Sequence, residues 1–376
     1  MPGSRLRSVL LACATLAAGF AVVIVGLRIT DAMAIIAYAG GLVILGAAAW
    51  FVGRRQQAFT DALAQERQLL AIGTVCCAAV YPFLANDAYQ LHVMAMAGIF
   101  ALMGLGLNVT VGFAGLAEFG YIAYYAIGAY TSALINVRFG VNFWLCMPVA
   151  AFAAASLGTL VALPALRVKG HYLGLVTLGF GFIVIQLITN LEKVTGGTQG
   201  VFGIQPPALF GHSFQKSIRI GEVVLPYQAN FYYLVLAMLI LAAWVCVNLQ
   251  RSRWGRVWAA MQADEVATSA VGLNLTKLKF LAFATGASFG GIAGSLYAHM
   301  VGYIDPSGFR IIESIFLLAV VAVGNWRVPG VIAAAVIFTI MPEKLRAFAD
   351  WRLLIFGILL LVVMLARGRS IAGSGR

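Results

Sequence analysis

The chain has 376 residues, 62% of them apolar and 10% charged, against roughly 45–50% and about 25% in soluble domains. A mean hydropathy of +0.94 excludes a water-soluble globular protein and makes the bilayer the solvent for this chain. The formal net charge of +12 comes from short basic clusters between apolar runs and forms no stripe, which argues against nucleic acid and for the charge bias that orients membrane spans.

Apolar segments run at about 9–27, 32–52, 69–85, 90–112, 116–135, 143–164, 171–191, 230–249, 278–299, 310–324, 328–342 and 353–366, several of them near the ~20 residues that cross a bilayer core. Arg5 and Arg7 precede the first segment as in a signal peptide, and Leu10 to Cys13 mimics a lipoprotein cleavage site. Few apolar residues lie ahead of Cys13 and the run continues past it, so an uncleaved first span is expected. If every segment crosses and both termini are cytoplasmic, sixteen of the 25 Lys and Arg residues fall inside, as the positive-inside rule requires. Some segments are short or glycine-rich enough to be half-helices. The expected fold is therefore all-α, a polytopic membrane helix bundle of about 10–12 spans with broken or re-entrant helices.

Two glycine-marked breaks stand out, at Val111–Gly115 and at Gly324–Gly330. Irregular backbone at membrane depth survives only where protein or a water-filled cavity covers it. Each break is thus either an element of a solute path or a tight turn between helices. Polar uncharged residues near them (Asn108, Tyr121, Tyr125, Thr177 and Gln186) suit a weakly binding path, or else helix-to-helix hydrogen bonding. Glu118 stands beside the first break, at the membrane interface or within the span.

Residues 192–229 are polar, rich in Gly and Pro, and fall outside in this topology, which suits an extracytoplasmic docking surface. Residues 250–277 fall inside. There Trp254, Trp258 and Met261 recur at helical spacing while charged residues fill the other faces, predicting one amphipathic helix over about 254–270. That helix either meets a partner or rests on lipid headgroups. Gly286, Gly290 and Gly294 recur every fourth residue, the spacing that lets helix backbones approach closely in lipid.

No Gly-x-x-x-x-Gly-Lys-Ser/Thr phosphate cradle occurs, so any ATP must be bound by another chain. The four histidines show no metal spacing. The five cysteines (Cys13, Cys76, Cys77, Cys146 and Cys246) lie in apolar runs and read as small core residues. No cofactor or metal site is expected.

Residues 106–108 with Gly120–Tyr130, the Leu166–Leu173 and Val176–Gly181 blocks, and Thr195-Gly196-Gly197 resemble, in order, the M-type permease subunit of branched-chain amino-acid ABC importers. Ser252–Arg256, Asp264-Glu265 and Gly272–Asn274 are similar to its cytoplasmic coupling loop, and Pro306–Glu313, Met341–Arg346 and Trp351–Gly357 to its C-terminal end. The chain departs from that pattern at Phe182 and Ile185, where the family usually has Glu and Arg. It also departs at Asn325-Trp326-Arg327, and at Val266-Ala267-Thr268 in place of Glu-Ala-Ala.

The resemblance implies a multi-pass subunit of the bacterial inner membrane that is not itself an enzyme. Its partners would be a homologous second permease, two ATP-binding subunits and a periplasmic substrate-binding protein. The solute would be leucine, isoleucine, valine or a similar small amphipathic molecule. Urea, amides or aromatic acids are the alternative solutes, and an ion-coupled secondary carrier is the alternative mechanism. Residues 1–70 would form an N-terminal extension with two spans and residues 71–376 the permease core. Asn108, Glu118, Tyr121, Tyr125, Thr177 and Gln186 are the expected path residues; Arg256, Asp264, Glu265 and Gly272 are the expected contacts to the ATPase.

Overall fold

The computed structural model describes residues 67–85, 87–165, 168, 171–209, 212–220, 223–344 and 357. The segments expected at 9–27, 32–52 and 353–366 lie outside the described residues, as does Cys13.

The described chain is a bundle of α-helices. The first are α1 (Arg67–Ala85), α2 (Ala88–Leu107), which runs on into a π-turn at Asn108–Phe113, α3 (Ile122–Phe139), α4 (Phe143–Ala165), α5 (His171–Asn190) and the short α6 (Glu192–Thr195). After the polar segment at 192–227 come α7 (Gln228–Arg251), α8 (Arg253–Ala263), α9 (Glu265–Ala270), α10 (Leu275–Val301), α11 (Ile311–Val323) and α12 (Val328–Lys344). Among the described residues six helices are long and apolar enough to cross a membrane, and shorter apolar helices occur at Ile72–Ala85 and Val328–Met341.

Helix α10 is the central post. It packs against α2, α3 and α4, while α7, α11 and α12 pack around the other side of α2. Burial follows this arrangement: in their most apolar stretch α2 is 83% buried, against 33% for α4, α5 and α7. The outer helices turn Leu145, Phe152, Phe182, Ile183 and Trp244 outward, which is where apolar side chains belong in lipid. The glycine stripe of α10 does what its spacing predicts. A Cβ on Gly294 would stand 2.2 Å from the Tyr125 carbonyl oxygen, and one on Gly286 would stand 2.9 Å from that of Gly106, so α10 meets α3 and α2 backbone to backbone.

Two expectations are revised. The segment expected as helix from 116 is irregular until Ile122, because the π-turn ends at Phe113 and Gly115 takes a left-handed φ of 70°. The amphipathic helix expected over 254–270 is two helices, α8 and α9. Asp264 breaks it: its backbone is extended and its carboxylate accepts hydrogen bonds from Val266 N at 2.7 Å and Ala267 N at 3.1 Å, which starts a new helix as an N-cap does. The polar stretch at 192–229 is ordered into α6 and short antiparallel ladders. These are β1 (Val201–Phe202), β2 (Ala208–Leu209) with β3 (His212–Ser213), and β4 (Ile218–Ile220) with β5 (Val223–Leu225), while β1 pairs with β6 (Tyr303–Ile304) beyond the end of α10. Of the cysteines, Cys146 and Cys246 are buried as expected, but Cys76 is exposed.

Candidate functional site: an interrupted span at the bundle centre

Helix α2 fails as an α-helix at Asn108. The π-turn widens its hydrogen-bond rings, with Ala114 N donating to Val109 O at 3.2 Å and Leu116 N to Thr110 O at 3.0 Å. Single π-turns inside helices mark functional sites more often than chance. The chain then runs without regular structure to α3, yet stays buried at Leu116, Glu118, Gly120 and Tyr121.

Every face of this interruption is tied to another element. Thr177 of α5 donates to Gly174 O at 2.9 Å while its hydroxyl oxygen accepts from Phe119 N at 3.0 Å. Ser314 of α11 accepts from Ile122 N at 2.8 Å, satisfying a backbone donor that the start of α3 leaves open. The Tyr121 hydroxyl donates to Gly286 O of α10 at 2.7 Å. Asn108 Nδ2 donates to Trp326 O at 3.2 Å, so the two breaks expected separately from the sequence meet in space.

Their second member is a tight turn between α11 and α12. Asn325 and Trp326 both hold left-handed backbone, at φ 60° and 58°, which for such residues costs on the order of 1–3 kcal/mol each.

Glu118 is fully enclosed, with the Thr110 and Tyr124 hydroxyls as the polar groups that reach it, and neither carboxylate oxygen holds a well-formed hydrogen bond. Asn108 Oδ1 is likewise unpartnered. Buried acceptors left open are costly, so their presence in the interruption sets this segment apart from an ordinary loop.

Of the path residues expected from the sequence, Asn108, Glu118, Tyr121 and Thr177 converge here. Tyr125 lies one turn along α3 in an aromatic cluster, its ring centroid 5.5 Å from Tyr297 and 5.3 Å from Phe309. Gln186 does not join them; it is exposed on α5.

The expected ATPase contacts lie on the α8–α9 pair. Arg256 donates to Arg251 O at 2.9 Å, Asp264 caps α9, and Glu265 pairs with the buried Lys279 of α10 at 2.9 Å. Gly272, at φ 88°, is exposed in the turn after α9. The buried indole of Trp258 donates from Nε1 to Leu278 O at 3.1 Å, while Val266 and Val271 stand 69% and 81% exposed. The pair is thus anchored to α10 on one side and presents apolar side chains on the other.

A second buried polar network was not legible in the sequence. His299 Nδ1 donates to Gln205 O at 2.6 Å and Nε2 meets Ser132 Oγ at 3.0 Å, which in turn meets Ser295 Oγ at 2.8 Å. Gln205 N donates to Asn136 Oδ1 at 2.8 Å. These bonds fasten the polar segment between α6 and α7 to α3 and α10. Among the described residues, no group of three or more His, Cys, Asp or Glu could hold a metal ion.

The geometry defines a multi-pass membrane protein built around an interrupted span, with a helix pair packed at one end of the bundle. The chain belongs to the permease-component family of branched-chain amino-acid transport systems, whose pattern matches residues 89–366. It is 37% identical to the high-affinity branched-chain amino-acid transport permease LivM of Salmonella typhimurium and 36% identical to that of Escherichia coli K12, in each case over 83% of this chain and 76% of the relative. It is also similar to LivH of Escherichia coli K12, at 25% identity over 74% of this chain and 93% of that protein. No solved structure matches. The protein is a membrane-spanning permease subunit of an ATP-binding-cassette importer.

Proposed function

We propose that this permease imports branched-chain amino acids, or a similar small amphipathic solute, across a bacterial inner membrane, and that separate ATP-binding subunits drive it through α8 and α9. The interrupted span carries the reading: its enclosed backbone and open acceptors, Glu118 and Asn108 Oδ1, provide a polar yet sparsely charged route. Such a route lets a solute enter and also leave.

In this reading Asn108, Glu118, Tyr121, Tyr125 and Thr177 line or gate the path, Tyr121 and Thr177 also brace it, and Gln186, apart on the exposed side of α5, belongs to the path only where the second permease covers it. Arg256, Asp264, Glu265 and Gly272 form the coupling region together with the exposed Val266 and Val271. Residues 71–376 make the permease core and residues 1–70 an extension. The partners are a homologous second permease, two ATP-binding subunits and a periplasmic binding protein. ATP hydrolysis belongs to those subunits and none to this chain.

The ordered outer segment at 192–229 faces the binding protein, with both termini in the cytoplasm. Gln215 is exposed. Gln215→Cys, in a background without the native cysteines, should react with a membrane-impermeant thiol reagent in intact cells. Labelling only after permeabilisation would reverse the topology. The partner assignment is tested by purifying the chain with its neighbours: ATPase chains should co-purify, and their hydrolysis should rise with leucine-loaded binding protein.

One observation favours a second reading. An enclosed carboxylate such as Glu118 is the kind of group an ion-coupled carrier uses. Solute uptake on an ion gradient, by this chain without ATP-binding subunits, would establish that mechanism in place of the first.

A further inference from the structure

Gly115 lies two residues past the end of the π-turn and holds a left-handed φ of 70°. A Cβ placed there would stand 2.6 Å from Gln262 Cγ, 3.1 Å from its Cβ and 3.4 Å from its Cα. The chain at the end of the interruption is therefore pressed against the stem of a side chain on the last turn of α8. A residue other than glycine would be doubly penalised, by its backbone angle and by the helix.

We propose that Gln262 is the positioning residue through which movement of the α8–α9 pair reaches the interrupted span, by direct contact with Gly115. This rests on the reading that α8 and α9 receive the ATPase. Beyond its direct continuation from α7, where Arg256 donates to Arg251 O, the pair has two further side-chain ties, Trp258 to Leu278 and Glu265 to Lys279. Both lead to α10, a continuous 27-residue helix whose glycines lock it against α2 and α3, and such an element moves only as a whole.

The interruption is the compliant part. Its ladder is widened, two of its side chains hold unpaired acceptors, and Asn108 ties it to the left-handed turn at Asn325-Trp326. A coupling element has to bias a segment with two arrangements of similar energy. Gln262 touches the segment whose local bonding leaves it such freedom. Its role is mechanical; it need not touch the solute.

The test uses the complete importer in liposomes, with binding protein and ATP. In a background without the native cysteines, the double variant Gly115→Cys, Gln262→Cys places two Cβ atoms close enough to oxidise to a disulfide. Cross-linking should cut uptake at least tenfold below that of the reduced double variant, whose folding is checked by size-exclusion chromatography because cysteine at 115 is strained. Uptake equal to that of the reduced variant with the disulfide formed overturns the proposal; where the variant does not fold or cross-link, the Gln262→Ala arm decides.

Gln262→Ala supplies a second arm that needs no strained residue. It should cut uptake about tenfold while ATPase subunits still co-purify and hydrolyse ATP. Wild-type uptake would overturn the proposal. Loss of ATPase association in Gln262→Ala would also overturn it, since the side chain would then act at the docking surface and not on Gly115. Failure of the wild-type chain to bind ATPases at all would instead sink the reading beneath it.

Discussion

Asn108 and Trp326, separated by 218 residues, join the two breaks of this chain through one hydrogen bond, from the Asn108 amide to the Trp326 carbonyl at 3.2 Å. The donor sits in the first residue of a π-turn and the acceptor in a left-handed turn, so each irregular segment holds the other in place. Asn108→Leu keeps the approximate volume and removes the bond. Trp326 is 37% exposed, so losing this bond costs only its net worth, about 0.5–1.5 kcal/mol, enough to lower the melting temperature of the purified complex by about a degree or two. Uptake should fall by tenfold or more even at temperatures where the variant is folded. Wild-type uptake and stability would show that the two breaks are independent.

Glu265 and Lys279 tie the α8–α9 pair to α10, and Lys279 is only 4% exposed. Removing one partner leaves a buried charge uncompensated, which is worse than removing both. Glu265→Gln, which strands the buried Lys279, should therefore be repaired in part by Lys279→Met, and the exchange Glu265→Lys with Lys279→Glu should restore most of the uptake that either reversal abolishes. If the exchange is as inactive as the single reversals while ATPase association is lost, Glu265 acts on a partner instead.

His299 fastens the polar segment between α6 and α7. Its replacement by Leu leaves the Gln205 carbonyl without this partner and Ser132 with Ser295 alone, and the loop at 203–207 loses its hydrogen bond to α10. The concentration of loaded binding protein needed for half-maximal ATPase stimulation should rise several-fold, with the maximal rate little changed. An unchanged half-maximal concentration would separate this network from docking.

At Gly294 any side chain meets the Tyr125 carbonyl and the Ala129 amide of α3. Gly294→Leu should force α10 from α3, and overpacking of this kind costs about 1–3 kcal/mol or more. The expected outcome is little or no folded complex on size-exclusion chromatography; a normally folded variant would refute backbone-to-backbone packing there.

Much of this was legible in the sequence because its signals are local. Apolar length marked the helices, the Gly286–Gly290–Gly294 spacing marked the close packing, and glycine clusters marked both breaks. What eluded sequence reasoning depends on distance along the chain. Nothing near residue 299 shows that its imidazole meets Gln205 and Ser132, 94 and 167 residues away, and nothing near 108 points to 326. The split of the amphipathic helix at Asp264 was available, since Asp is a strong N-cap, but the recurring apolar face of Trp254, Trp258 and Met261 masked it. Gln186 was placed near the breaks by its polarity alone, whereas the turn of α5 that carries it faces outward.

The central claim, import driven by ATP bound on other chains, is tested most directly by leucine uptake into liposomes holding this permease, its partner permease and the two ATP-binding subunits, with leucine-loaded binding protein outside. The account predicts accumulation with ATP inside the vesicles and none with a non-hydrolysable analogue, whatever the ion gradient. Accumulation on an ion gradient without ATP, by the complex or by this chain alone, would contradict it.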